Sequence, residues 1–306
     1  MQLRYDDDFV EAAVFLCASG RRPGATALQV RHFYAQRERC YSVADPDKRN
    51  AEFFQVHFDW FREWGLEPLL RGLLADYPLL EGSLNILGFR QARAPSEEGA
   101  ELYVDAGNGR NAMVALRMER LERDSALLHF LRREYLHLHD MVDPAFGYSP
   151  RLNLGELNPT QRRLVRDRYR LLWDITIDGR LAPSDPLAAS SRAAHKAAFD
   201  RAFAFWIEVR QSRVFEFHWT NARPLHDELL SLAADPRDLS QAAAPMPGGS
   251  CPLCHFPTFE WAESSALSPG IVSLLLGDFP SWTPEQGACK RCLEIYEIGG
   301  KQSAPT

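Results

Sequence analysis

Two cysteine pairs, Cys251 and Cys254 in CPLC and Cys289 and Cys292 in CKRC, are the most chemically specific residues of the chain. A two-residue spacing lets a tight turn of backbone, a knuckle, present both thiolates to one ion. Two knuckles complete the tetrahedral all-sulfur shell that a structural zinc prefers, with no position left open for a substrate. A redox dithiol needs only one such pair, in a βαβ setting. The doubled spacing therefore predicts one structural zinc.

A second group of candidate chemical residues lies in DSALLHFLRREYLHLHDMVDP, a helical pattern that Asp124 can cap and that Pro144 follows. Its centre reads Arg133-Glu134-Tyr135-Leu136-His137. A metallopeptidase helix of the HExxH type places two histidines one turn apart on one metal, with the intervening glutamate as general base on the bound water. Here the glutamate and the second histidine are present, but the first ligand position holds an arginine, whose guanidinium cannot ligate zinc. His129 cannot replace it, being about 12 Å from His137 along a helix axis. His139 is turned about 200° away from His137, whereas Asp140, three residues on, shares an adjacent face. Glu134-x-x-His137 also matches half of a di-iron bundle signature, but that design needs the motif twice and the chain carries it once.

Short β-like runs precede this helix, and together they resemble the strand-then-helix core of zincin-like metallopeptidases over roughly residues 83–181. The resemblance implies a third ligand from a later segment, often a carboxylate on a second helix. Asp174 and Asp178, four apart in TQRRLVRDRYRLLWDITIDGRL, are the matching candidates. The same aspartates also fit a solvated face, with Arg170 pairing to Asp174 one turn away. Arg133 itself has two readings, an ion pair with Glu134 or an aspartate in place of the metal's charge, or capture of an anionic ligand. The expectation is a zincin-like but non-catalytic body. The alternative is an active metal-dependent hydrolase with His137, Asp140 and Asp174 or Asp178 as ligands of a second ion and Glu134 as the base.

Around these residues the pattern predicts an α+β chain. Helices fill the stretch from Asp6 to Tyr77, one of them capped by Asp45, started by Pro46 and stopped at Gly65. Its aromatics Phe53, Phe54, Phe58, Trp60 and Phe61 are read as core. Strands are expected at 83–89, 101–105 and 112–119, and further helices after Asn158-Pro159 and over 190–205. Residues 213–219 suit either element. A Pro-, Gly- and Ala-rich stretch at 235–250 reads as a linker, dividing a body of 1–234 from a zinc ribbon of 251–306.

Composition bounds the function classes. With 306 residues, 45% hydrophobic and 25% charged, the chain has a sizeable core in one or two domains. It contains no apolar run of about 18 residues, and its acidic start is unlike a signal peptide, so no membrane partner and a cytoplasmic location are expected. Cys17 and Cys40 read as small core residues. The cysteine module carries three cations, Lys290, Arg291 and Lys301, against six anions, which argues against a nucleic-acid partner. Its apolar residues, among them Phe256, Phe259, Trp261, Leu275 and Trp282, exceed what a metal knuckle needs to cover. They suggest a compact core plus a face for a protein partner or for self-association. No phosphate-cradling glycine loop and no G-x-S-x-G elbow is present.

Overall fold

The computed structural model describes residues 1–302 except 106, 108, 151, 153, 155–157, 221–222, 235–247, 263–267, 280–281 and 283. The chain forms two compact units, Met1–Pro150 with Leu181–Ser190, and Arg151–Arg180 with Ser191–Thr306. The fold is mixed α+β, with one four-stranded sheet and one two-stranded sheet.

The first unit runs β1 (Gln2–Tyr5), α1 (Asp7–Ala18), α2 (Ala27–Cys40), α3 (Pro46–Glu63), α4 (Leu66–Gly72), α5 (Pro78–Ser83), β2 (Ile86–Gln91), β3 (Gly99–Val104), β4 (Arg110–Leu116), α6 (Met118–Leu121) and α7 (Asp124–Val142). The sheet order is β1-β2-β4-β3, parallel except for β3, which runs antiparallel to β4 at one edge. The three expected strands are present with shifted ends. The edge strand β1 was not expected, because only Leu3 and Tyr5 of its four residues turn inward and the pattern is too short to register as alternation.

Local chemistry sets the helix ends that matter. Asp45 caps α3 by accepting hydrogen bonds from the Asp47 and Lys48 N–H groups at 3.0 and 3.2 Å, and Pro46 opens the helix where its missing N–H costs nothing. Gly65 ends it with φ 74°, a left-handed conformation that a glycine adopts without strain. Four of the five α3 aromatics enter the core as expected, Phe61 and Trp60 buried and Phe54 and Phe58 packed against it, whereas Phe53 lies outside it against Tyr41 and His57. Full burial of a side chain such as Phe61 contributes roughly 1.5–3 kcal/mol. Asp124 does not cap α7. Arg123 occupies the cap position, while the Asp124 carboxylate sits in the first turn and binds Arg22 at 2.6 Å. Cys17 and Cys40 are buried, unbonded thiols, and burial pushes Cys17 up to about 11.

The second unit takes all but the last residue of α8 (Pro159–Leu181) and α9 (Pro186–Ala202) from Ser191 onward, followed by α10 (Glu208–Thr220) and α11 (His226–Ala234). Residues 213–219 are therefore helical. Asn158 and Gln161 cap α8 reciprocally, each side chain accepting from the other's backbone N–H. A Cβ on Gly179 would lie 2.0 Å from the Trp219 carbonyl oxygen, so glycine lets α8 and α10 approach backbone to backbone. The segment expected as a linker lies outside the described residues over 235–247. Its last residues enter β5 (Gly249–Ser250), which pairs with β6 (Pro257–Thr258), and α12 (Pro269–Asp278) and α13 (Lys290–Gln302) complete the unit.

Candidate metal centre

The CPLC pair occupies the turn between β5 and β6, held by hydrogen bonds from Cys251 N–H to the Phe256 carbonyl and from His255 N–H to the Cys251 carbonyl, at 2.9 and 2.8 Å. His255 closes this knuckle with φ 59°, a conformation uncommon for a residue with a Cβ. The second pair does not form a matching knuckle. Cys289 immediately precedes α13 and Cys292 lies in its first turn, where the unpaired N–H groups and the positive end of the helix dipole favour negative sulfur. An isolated bridge from Trp261 to Cys289, flanked by Ala262 N–H to Ala288 and Lys290 N–H to Glu260 hydrogen bonds, delivers this helix start to the knuckle.

The four sulfurs converge. Cys251 to Cys292 and Cys254 to Cys289 are both 3.9 Å apart, and all four sulfur atoms lie within 4.8 Å of one another. A disulfide requires about 2.05 Å, so these are thiols grouped around a point rather than bonded pairs. The Cys289 N–H donates to Cys251 Sγ at 3.3 Å and the Cys292 N–H to Cys289 Sγ at 3.4 Å. Burial pushes the Cys251 thiol up, but the amides of Cys289, Cys254 and Leu253 outweigh it and hold that thiol below its usual range. Cys292 is held well above its usual range by burial first, then by the Cys289 and Cys254 sulfurs and the Cys251 charge. The Cys251 charge works against ionisation of Cys289 and Cys292, as expected of grouped thiols that a cation would neutralise together. The site can thus hold a metal ion.

A small apolar core supports it: Leu253, Leu275, Trp282, Ala288 and Leu293 pack with the cysteines, and Trp282 Nε1 donates to the Gly287 carbonyl at 2.9 Å. Phe256 and Phe259 stay outside this core at 73% and 68% exposure, so the surplus of apolar residues divides between core and surface.

The α7 residues are used differently. Leu127, Leu131, Tyr135, Leu138 and Val142 form its buried stripe, and the Tyr135 hydroxyl, at the centre of the motif, donates to the Leu70 carbonyl at 2.7 Å. Glu134 is also buried. Its Oε2 accepts the Ala100 N–H at 2.8 Å, so the carboxylate occupies a backbone donor on the open side of edge strand β3. His137 is half-buried and Asp140 buried beside His139. His129, too far along the helix for a shared ligand role, faces Asp185 with Nδ1 to Oδ2 at 3.3 Å, and Arg132 donates to the same oxygen. Asp185 also caps α9 through the Leu187 N–H. Burial pushes its carboxyl up, but that amide and His129 outweigh it and hold the group below its usual range.

Asp174 and Asp178 lie on α8 in the second unit, Asp174 half-buried and Asp178 fully buried. Asp178 is thus not part of a solvated face. Its Oδ2 sits 2.6 Å from His195 Nε2 and accepts from Ser191 Oγ at 3.1 Å. Serine and histidine share one carboxylate oxygen here, an arrangement that ties α9 to α8 and does not align the serine for attack through the histidine. The four-residue spacing of Ser191 and His195 places both on one helical face, a signal present in the sequence that Asp178 gives meaning. Among the described residues, the four cysteines are the only group of three or more His, Cys, Asp or Glu side chains close enough together to hold an ion. No helix among them is long and apolar enough to cross a membrane. Comparison with protein-family models, with curated proteins and with solved structures gives no match to this chain.

Proposed function

We propose that Cys251, Cys254, Cys289 and Cys292 hold one structural zinc ion, and that the chain acts in protein interaction or assembly through a non-catalytic, zincin-like body. The observation that carries the zinc reading is the sulfur spacing. Zinc-thiolate bonds of about 2.3 Å in a tetrahedron set sulfurs about 3.8 Å apart, against the 3.9 Å of two pairs here. Four protein ligands leave no position for a substrate, so the ion serves to fold the module. The non-catalytic reading of the body draws on Arg133 in the first ligand position and on the bond between Glu134 and Ala100 N–H, which turns a would-be base into a strand-edge partner. The mixed sheet with antiparallel β3 beside α7 supports the zincin-like likeness.

Metal analysis of the purified chain beside Cys289→Ser/Cys292→Ser tests both parts. One zinc per chain that disappears in the variant is the expected result. Stoichiometric metal persisting in the variant would overturn the reading and favour a hydrolase in which His137 and Asp140, with Asp174 or Asp178, are ligands and Glu134 is the base; Glu134→Gln would then remove activity.

A further inference from the structure

The four cysteines are not equivalent, and the difference gives the centre a direction of oxidation. Cys251, Cys289 and Cys292 are buried, whereas Cys254 at the knuckle's outer end is only half-buried. The amide hydrogen bonds separate two of the buried sulfurs further. Cys251 Sγ accepts from Cys289 N–H, and Cys289 Sγ from Cys292 N–H, whereas among the described residues neither Cys254 Sγ nor the buried Cys292 Sγ accepts from an amide. A hydrogen bond to a thiolate withdraws electron density from sulfur and lowers its nucleophilicity, and burial denies access to an oxidant. Cys254 is thus the one sulfur of the four that is both undamped by an amide and only half-buried. Its near neighbour across the centre is Cys289 Sγ at 3.9 Å.

We propose that the centre is a peroxide-responsive switch in which Cys254 is attacked first and Cys289 resolves it. The inference rests on the zinc reading above. In the first step the Cys254 thiolate displaces hydroxide from hydrogen peroxide, breaking the O–O bond and forming a sulfenic acid. In the second, the Cys289 thiolate attacks that sulfur and expels its hydroxyl as hydroxide. Two thiolates are oxidised to one disulfide and one peroxide is reduced to two hydroxides, so electrons balance. The new bond joins the knuckle to the start of α13. Only Cys251 and Cys292 then remain as thiolates, too few to retain the ion.

The test treats the full zinc-loaded chain with hydrogen peroxide at about one equivalent, following zinc release with a chromogenic chelator and mapping disulfides by peptide mass spectrometry after alkylation of free thiols. The expected result is one zinc released per disulfide formed, the disulfide joining Cys254 to Cys289, with Cys251 and Cys292 alkylated. In a separate arm without oxidant, brief alkylation of the zinc-loaded chain should label Cys254 at least tenfold faster than the other three. A disulfide within either CxxC pair, equal labelling of all four sulfurs, or zinc retained after peroxide would each overturn this proposal while leaving the structural zinc intact. A purified chain with no bound zinc overturns the zinc reading, and this switch with it.

Discussion

The cysteine centre and helix α7 both gather side chains that can bind metal, and they use them in opposite ways. In the cysteine module the apolar core is small, a handful of side chains around Trp282, and the polar atoms face inward to one point. In the first unit a large core built on Phe9, Phe61, Phe89 and Tyr135 already fixes the elements, and the carboxylates and imidazoles of α7 satisfy backbone or helix-end groups around it. A unit with enough apolar burial can use ionisable residues as hydrogen-bond partners. On the proposed reading, a module without it draws its stability from ligands and an ion.

The largest effect that would separate the two regions is removal of the metal. Chelation, or Cys289→Ser/Cys292→Ser, should unfold residues 249–302 by removing a binding free energy on the order of 10 kcal/mol. Hydrogen exchange should show lost protection there and retained protection at Phe61 and Tyr135. Lost protection in both regions would erase the contrast.

Acid gives the next effect. Burial, with Arg37 adding to it for His57, pulls His57 and His218 down to about 4. The folded chain therefore binds fewer protons than the unfolded one between about pH 6.5 and 4, so stability is full above that window and falls as pH drops through it. The loss at His218 should approach 3 kcal/mol, about 1.4 kcal/mol for each pH unit of the shift. Urea unfolding of His218→Leu should show a flatter pH dependence there, while acid release of the cysteine-bound metal stays unchanged.

Glu134→Ala should cost about 1–3 kcal/mol, since it removes a buried carboxylate and strips the half-buried Ala100 N–H of its partner, whereas Glu134→Gln keeps an acceptor and should cost under about 1 kcal/mol. Thermal unfolding of the two variants measures this; equal losses would mean the charge matters more than the hydrogen bond. The smallest effect is at a helix end with no ligand role: Asp45→Ala should lower stability by about 1 kcal/mol through the lost cap, with no change in bound metal.

Much of this arrangement was legible in residue order. The Asp45-Pro46 start and Gly65 stop of α3, the strands before α7 and the α8 start at Asn158 follow from short-range rules of sterics and hydrogen bonding. The cysteine spacing picked out the four residues that cluster closely enough to hold an ion because each pair is local. It did not show that CKRC sits at a helix start, because the turn geometry depends on the Trp261 to Cys289 bridge formed across a distant part of the chain. The partners of Glu134 and Asp178 were hidden for the same reason. Ala100 offers only a backbone N–H, which no residue type announces, and Ser191 and His195 become intelligible only once α9 lies along α8.

The parallel pairing of β1 with β2 carries a consequence for the order in which this chain folds. Gln2 lies beside Ile86 and Tyr5 beside Phe89, so the segment between them, with five helices, must be gathered before that pairing exists. Closing so long a loop is slow compared with forming helices or the local β3 to β4 hairpin. During synthesis β1 emerges well before its neighbour β2, which leaves β2, β3 and β4 as the early sheet and makes attachment of β1 a late step in refolding.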